Sequence, residues 1–112
     1  MEIHGVKLKF QMFNEDEAAI KEKYYAELEK MSHITENVPD GTEKEKNQYL
    51  CDSIKSMFDN IFGNGTGIRV CGKENDLLLH LDAYDKLVSE QIRQQNQYAG
   101  IIKRMKNMKV KK

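Results

Sequence analysis

The sequence contains no tryptophan, one proline and only two cysteines among its 112 residues. Cys51 and Cys71 lie far apart, without a Cys-x-x-Cys pair or clustered histidines, and this spacing speaks against a zinc site. No apolar run approaches the roughly 20 residues of a membrane-spanning helix, and the N-terminus does not resemble a signal peptide. These absences predict a cytoplasmic protein with reduced thiols and no membrane association.

Charge is distributed unevenly along the chain. The 18 basic and 18 acidic side chains cancel, but residues 1–85 hold 10 Lys/Arg against 17 Asp/Glu, whereas residues 86–112 hold 8 against 1. The hydrophobic content of 39% and the charged content of 32% suit a mainly helical chain whose outer faces are solvated. The sequence therefore predicts an acidic body that carries a basic C-terminal arm.

The N-terminal segment alternates apolar and polar residues with the period of a half-buried strand. The apolar positions expected on one side are Val6, Leu8, Phe10 and Met12. Before them, the His4-Gly5 pair suits a two-residue turn, because glycine supplies a positive φ and histidine tolerates one. We therefore expect a short β-hairpin in which Ile3 pairs with the strand after the turn.

Helix-start signals follow this hairpin. Asn14 is placed as an N-cap with Glu17 as its capping-box partner, and Phe13 is placed to pack on Ala18 as a hydrophobic staple. The first helix should continue to about Ile34, where the segment "NVPDG" ends it.

Two further amphipathic helices are predicted. A second capping box opens at Thr42, and the apolar stripe behind it comprises Leu50, Ile54, Met57, Phe58 and Ile61. The third helix should begin near Asn75 or Asp76, and its stripe comprises Leu77, Leu78, Leu81, Tyr84, Leu87, Val88 and Ile92. The pattern then thins, and its continuation through Gly100 is left open because glycine costs about 1 kcal/mol relative to alanine inside a helix.

The predicted fold is therefore mainly α, with a short N-terminal β-hairpin followed by three amphipathic helices, the last of which has a basic C-terminal extension. Residues 1–92 are expected to form the hairpin and helical domain. Residues 93–112 are expected to form a helical extension or a frayed tail.

The segment "FDNIFGNGTGIRVCG", residues 58–72, holds four of the seven glycines. A phosphate-binding loop needs a strand before the glycines and, in the P-loop, a Gly-Lys-Ser/Thr ending. Here a helix precedes, and the only Gly-Lys pair is followed by glutamate. We interpret Gly63 as the left-handed residue that ends the second helix, and we expect Thr66 to cap a short helical turn that Gly72 terminates.

No catalytic, cofactor-binding or metal-binding residues are predicted. His80 is interpreted as a satisfied or partly exposed helix residue, since no serine or cysteine is placed to use it as a base. The carboxylates cluster at helix starts and on solvated faces, and Cys51 resembles a small buried hydrophobic residue. We therefore expect a protein that is not an enzyme.

The C-terminal arm carries the candidate partner-binding residues. A thin apolar stripe there has no evident intramolecular partner, and basic residues accompany it. The candidates are Ile92, Tyr98, Ile101, Ile102, Lys103, Arg104, Met105 and Lys106. Two interpretations remain open: the arm holds a protein partner, with formation of a homo-oligomer, or it contacts phosphates as part of a small nucleic-acid-binding regulator.

The opening "MEIHGVKLKFQMFNEDEAAIKEKYYAELEKM" and the segment "IFGNGTGIRVCG...LLLHLDAYDKL" resemble small tail-assembly proteins of phages and prophages from Gram-positive bacteria. Many of these proteins open with an "I-x-G-x-x-[apolar]-x-F" hairpin that leads into a helix, and the likeness covers most of residues 1–92.

This resemblance implies a tail assembly chaperone, a non-enzymatic protein of the host cytoplasm. It would coat the helical tape-measure protein and keep it soluble until the tail tube polymerises around it. The family has no shared active-site motif, so the resemblance assigns no site residues. The basic, glutamine-rich end from Gln91 onward departs from the simplest version of the family.

Overall fold

The structure, a computed structural model, describes residues 1–108. Two short antiparallel strands come first, β1 (Glu2–Ile3) and β2 (Val6–Lys7), with Ile3 opposite Val6. His4 and Gly5 both have positive φ, 49° and 82°, as a tight two-residue hairpin turn requires. The predicted hairpin is confirmed, and Leu8, Phe10 and Met12 beyond it are buried on one side as their alternation indicated.

Four α-helices follow: α1 (Ala18–Ser32), α2 (Glu43–Phe62), α3 (Thr66–Cys71) and α4 (Leu77–Met108). Single 3-10 turns at Glu15–Glu17 and Ile34–Glu36 flank α1. The mainly α fold with its N-terminal hairpin is as predicted, and the expected short turn of helix after the glycines is α3. None of the helices in residues 1–108 combines the length and the apolar composition of a membrane span.

The start of α1 differs from the prediction in two details. Asn14 does cap the preceding 3-10 turn, because its Oδ1 accepts from the Asp16 N–H at 3.0 Å. The capping box does not form, since Glu17 pairs instead with the Lys9 ammonium at 2.7 Å. The Phe13 ring stacks on a distant aromatic ring of α4, a contact that the predicted staple onto Ala18 did not include.

The other predicted caps are confirmed. Thr42 and Glu45 form a reciprocal capping box at the start of α2, in which Thr42 Oγ1 accepts from the Glu45 N–H at 3.1 Å. Asp76 caps α4, because its Oδ1 accepts from the Leu79 N–H at 3.1 Å. Each cap satisfies a backbone N–H that the helix itself leaves without a partner.

The glycine segment ends one helix and packs the next against it. Gly63 closes α2 with φ 114°, but the left-handed helical conformation lies at Gly65, so that detail of the prediction is wrong. Gly65, not Thr66, precedes α3 as its cap, and Gly72 ends α3 as expected. Gly67 lies against α2 so closely that a Cβ there would be 2.4 Å from the Lys55 carbonyl oxygen.

The core lies where the hairpin, α1, α2, α3 and the first half of α4 meet. Its largest fully buried side chains are Ile3, Tyr24, Ile54, Met57, Phe58, Ile61, Val70, His80 and Leu87. The predicted face of α4 is wrong at its start, because Leu78 is 77% exposed and Leu81 is also exposed. His80, Ala83 and Leu87 form the buried face instead. The three consecutive leucines, Leu77, Leu78 and Leu79, are compatible with more than one helix face, so the sequence alone does not identify the buried one.

Helix α4 is the longest element, with 32 residues, and it passes through Gly100 without a break. At 1.5 Å per residue it is about 48 Å long, and the whole molecule measures 68 × 27 × 22 Å. It crosses the predicted boundary after Ile92 as a continuous helix. The arm is helical as far as Met108, and the last four positions of the predicted extension lie outside the described residues.

Candidate protein-binding surface on α4

Gln94 attaches the extended segment after the hairpin to α4. Its Oε1 accepts from the Met12 N–H at 2.8 Å, and its Nε2 donates to the Phe10 carbonyl at 2.7 Å. Nε2 also donates its second proton to Glu90 Oε2 at 2.8 Å. Within residues 1–108 no strand pairs with this segment on that side, so the amide of Gln94 supplies the donor and the acceptor that a strand would offer.

Two further glutamines attach α4 to α1. The Tyr24 hydroxyl donates to Gln91 Oε1 at 2.6 Å, and Gln95 Nε2 donates to the Tyr25 hydroxyl at 3.4 Å. Burial raises the pKa of Tyr24, which keeps its hydroxyl protonated as a donor. The glutamine-rich segment, which sequence patterning interpreted as a thinning of the helix, is thus the polar continuation of the buried face of α4.

Tyr98 extends this face by one more turn. Its ring stacks on that of Phe13, with centroids 4.4 Å apart and planes within 9° of parallel. Both rings remain about half exposed, and the Lys21 ammonium lies 5.7 Å above the Phe13 ring. The stack leaves the outer side of the Tyr98 ring available to a further apolar group.

Beyond Tyr98 the same face continues without cover from the body of the protein. Ile101, Met105 and Met108 follow at helical spacing and are 40%, 62% and 72% exposed. We call Tyr98, Ile101, Met105 and Met108 the distal seam. Because this face is the core face farther up the helix, the part of the distal seam beyond Tyr98 is an apolar surface that no other part of residues 1–108 covers.

An open groove of about 510 Å³ adjoins the distal seam. It lies between α4 and the N-terminal segment, and Phe10, Phe13, Arg93, Gln97, Tyr98 and Ile101 are among its lining residues. Its walls combine aromatic rings with amide and guanidinium groups. The groove and the distal seam together form a continuous surface on which an apolar segment can lie.

The eight candidate residues from the sequence do not lie on one face. Ile101 and Met105 belong to the distal seam with Tyr98. Ile92 and Ile101 are nine residues apart, which is about two and a half turns of a helix with 3.6 residues per turn, so they point to opposite sides. Ile102 is only half-buried and lies about 100° from Ile101.

The three basic candidates, Lys103, Arg104 and Lys106, are exposed and distributed around the distal part of α4. Along this part of the helix no acidic residue follows Glu90. The basic groups therefore flank the apolar residues from several directions and do not form a single cationic stripe. This arrangement favours acidic groups beside a bound apolar surface.

The histidines show two opposite environments. His4 places Nδ1 2.8 Å from the Val70 carbonyl and Nε2 2.7 Å from Asp82 Oδ2, so both ring nitrogens face acceptors. The hydrogen bond to Asp82 raises the pKa of His4. His80 is fully buried, with Nδ1 bonded to the Asp76 carbonyl and no partner at Nε2, and burial lowers its pKa. His4 therefore connects the hairpin to α3 and α4, a role that the sequence did not indicate.

The cysteines and carboxylates form no reactive cluster in the described residues. Cys51 and Cys71 are buried free thiols, and burial raises the pKa of Cys71 to about 11. Within residues 1–108, no group of three His, Cys, Asp or Glu side chains is arranged to hold a metal ion. The features that remain without a structural explanation are the apolar surfaces of α4.

The architecture defines a small, mainly helical domain with a long projecting C-terminal helix. The chain belongs to a family of unknown function, DUF6673, whose model matches residues 4–112. No curated protein and no solved structure matches it. The family match includes the whole of α4, so the projecting helix is part of the family's common domain.

Proposed function

We propose that this protein is a non-enzymatic binding factor that holds a helical protein partner along the distal seam of α4. The observation that carries the proposal is the continuity of one helix face. That face forms the core at His80 and Leu87, binds the N-terminal segment at Gln94, and then continues uncovered at Ile101 and Met105. An apolar face of this kind is the usual docking surface for an amphipathic helix.

The chemistry of the seam specifies the partner further. Met105 and Met108 are unbranched and polarizable, so they adapt to partner side chains of different shapes. Lys103, Arg104 and Lys106 lie around them and favour acidic residues at the edges of the partner's apolar face. The partner is therefore a long amphipathic helix with acidic flanks.

The sequence resemblance to tail-assembly proteins supports a particular partner of this type. A phage tape-measure protein is long and helical, and it must be kept soluble before the tail tube forms around it. We therefore propose that the protein acts as a tail assembly chaperone for a tape-measure protein in the host cytoplasm.

The test is co-expression of the tagged chain with the tape-measure protein encoded in the same genome, followed by capture and titration with purified fragments of it. The variant Ile101→Ser/Met105→Ser should lose at least about 100-fold in affinity, since burial of each such side chain contributes about 1.5–3 kcal/mol and each 1.4 kcal/mol changes affinity about tenfold. Ile68→Ser is the matched control, because it removes an exposed isoleucine of α3 that lies on neither apolar surface of α4. Equal binding by both variants, or none by the wild type, would contradict the proposal.

The same assay separates nucleic-acid binding, the alternative that the basic side chains suggest. If the arm contacts phosphates, Lys103→Glu/Lys106→Glu should abolish binding of a DNA or RNA duplex, and wild-type binding should weaken steeply with salt. Ile101→Ser/Met105→Ser would then have little effect on it. A smaller loss of tape-measure binding in the charge variant than in the apolar variant favours the chaperone function.

A further inference from the structure

A second stripe of residues runs along α4, on a different face from the distal seam. Its members are separated alternately by three and four residues, and they are Leu78, Leu81, Asp85, Val88, Ile92, Gln95, Ala99, Ile102 and Lys106. This is the spacing of a coiled-coil seam, sustained over about four heptads. We call these nine residues the heptad stripe, and six of them are apolar.

The heptad stripe lies on the open side of α4. The hairpin contacts α4 through His4 and Asp82 on one side, and α1 contacts it through Gln91 on the other. The stripe lies between these two contacts, with Leu78, Leu81 and Ile92 among the exposed large hydrophobic residues. Within residues 1–108, the fold of one chain contacts this stripe at Gln95, which donates to the Tyr25 hydroxyl, and leaves Leu78, Leu81 and Ile92 exposed.

We infer that the heptad stripe pairs with the same stripe of a second copy of this chain, as an antiparallel helix pair with its two-fold axis near Ile92. Ile92 is the middle member of the stripe, so this register overlays the full length of one stripe on the other. Leu81 of one protomer then lies beside Ile102 of its partner, and Val88 lies beside Gln95. A large shift from this register would leave stripe residues at each end of the pair without an opposing stripe residue.

The charge distribution along α4 favours an antiparallel partner for the heptad stripe, and it favours a second copy of this chain as that partner. The first half of α4 carries Asp82, Asp85 and Glu90 against one lysine, whereas the second half carries only basic residues. An antiparallel pair places Asp85 of one chain near Lys103 of the other, twice in each dimer. A parallel pair would place like charges together along the whole helix, and such pairs are destabilising.

This inference goes beyond the proposed function and uses a different face of the helix. The distal seam on Ile101 and Met105 points away from Ile92, so a dimer leaves it free for another protein. The two proposals can therefore fail separately. Loss of self-association leaves partner binding through Ile101 and Met105 to be tested by its own variants.

The test is cross-linking of single cysteines with a short bis-maleimide. Cys51 and Cys71 are fully buried, so the wild type is the unreactive control. Ile92→Cys should cross-link to itself, because the two copies of residue 92 lie near the axis. Leu81→Cys should not, since its two copies are separated by about 33 Å at 1.5 Å per residue.

A mixture of Leu81→Cys and Ile102→Cys chains should cross-link, because these positions lie side by side across the pair. The wild type should also have the mass of a dimer by light scattering at micromolar concentrations. A monomeric wild type, failure of Ile92→Cys to cross-link, or self-cross-linking of Leu81→Cys would each overturn the inference. Circular dichroism of each variant shows whether α4 has remained helical.

A charge exchange tests the direction independently. Asp85→Lys should weaken dimerisation about tenfold, since two attractive pairs become repulsive, and Lys103→Glu should have the same effect. The double variant restores both pairs and should dimerise like the wild type. In a parallel pair each residue faces its own copy, so neither single variant would change the number of repulsive pairs. Unchanged dimerisation of both single variants would therefore overturn the antiparallel arrangement.

Discussion

Gly67→Ala tests the close approach of α3 to α2. A Cβ at this position would lie 2.4 Å from the Lys55 carbonyl oxygen and 2.7 Å from its Cα, and both are backbone atoms that cannot rotate away. Helix α3 would have to move outward, which opens space around the buried Val70 and Cys71 and strains the 2.7 Å hydrogen bond from the Gly67 N–H to Asp59. Overpacking of this kind costs about 1–3 kcal/mol, and the strained hydrogen bond adds about 1 kcal/mol.

We therefore expect the free energy of unfolding of Gly67→Ala to fall by about 3 kcal/mol, measured by urea titration with circular dichroism. Gly100→Ala is the matched control, since both glycines lie in helices and the nearest atom to a Cβ at Gly100 is Arg104 Nη1 at 3.9 Å. That variant should gain about 0.5–1 kcal/mol from helix propensity alone. If Gly67→Ala has the stability of the wild type, the close approach is refuted.

Three other predictions concern the contacts of α4. Gln94→Leu should lower the free energy of unfolding by about 2–3 kcal/mol, because the Met12 N–H and the Phe10 carbonyl lose their partner. The control Gln97→Leu, on the outer surface, should change it by less than about 0.5 kcal/mol in the same titration. His4→Gln should cost most stability below about pH 6.5 and less as pH rises through the raised pKa of His4, because only the protonated ring donates to both Val70 and Asp82. Unfolding at a series of pH values checks this, and an equal cost at all pH values would contradict it. His80→Leu should become more stable relative to the wild type as pH falls below about 6.5, because burial lowers the pKa of His80 and the wild type therefore loses stability in acid. A difference in the free energy of unfolding between the two proteins that does not grow in acid would refute this.

The sequence predicted features that depend on neighbouring residues. The His4-Gly5 turn, the Thr42 capping box and the Asp76 cap are each formed by groups within a few positions of one another, so their chemistry is visible in the sequence. The alternation before Met12 also identified its buried side, because a strand has only two faces.

Features that depend on distant residues were missed. Phe13 packs on Tyr98, because the body brings α4 beside the N-terminal segment. The role of Gln94 could be inferred only in part: it lies seven residues after Leu87, on the same face, but an exposed glutamine has the same spacing. The candidate set on the arm was identified as apolar and basic, although its division between two faces depends on knowing that α4 is continuous.

The two surfaces of α4 are linked through the stability of its outer half. An isolated helix shorter than about 12 residues is marginal in water, and the segment after Tyr98 is of this length and contains Gly100. Its order must therefore come from the rest of α4 and from whatever covers its apolar residues. An antiparallel partner along Ala99 and Ile102 would fix this segment as a helix before a second protein meets Ile101 and Met105. Self-association then lowers the ordering cost of partner binding, so the dimer should hold its partner more tightly than a monomer does.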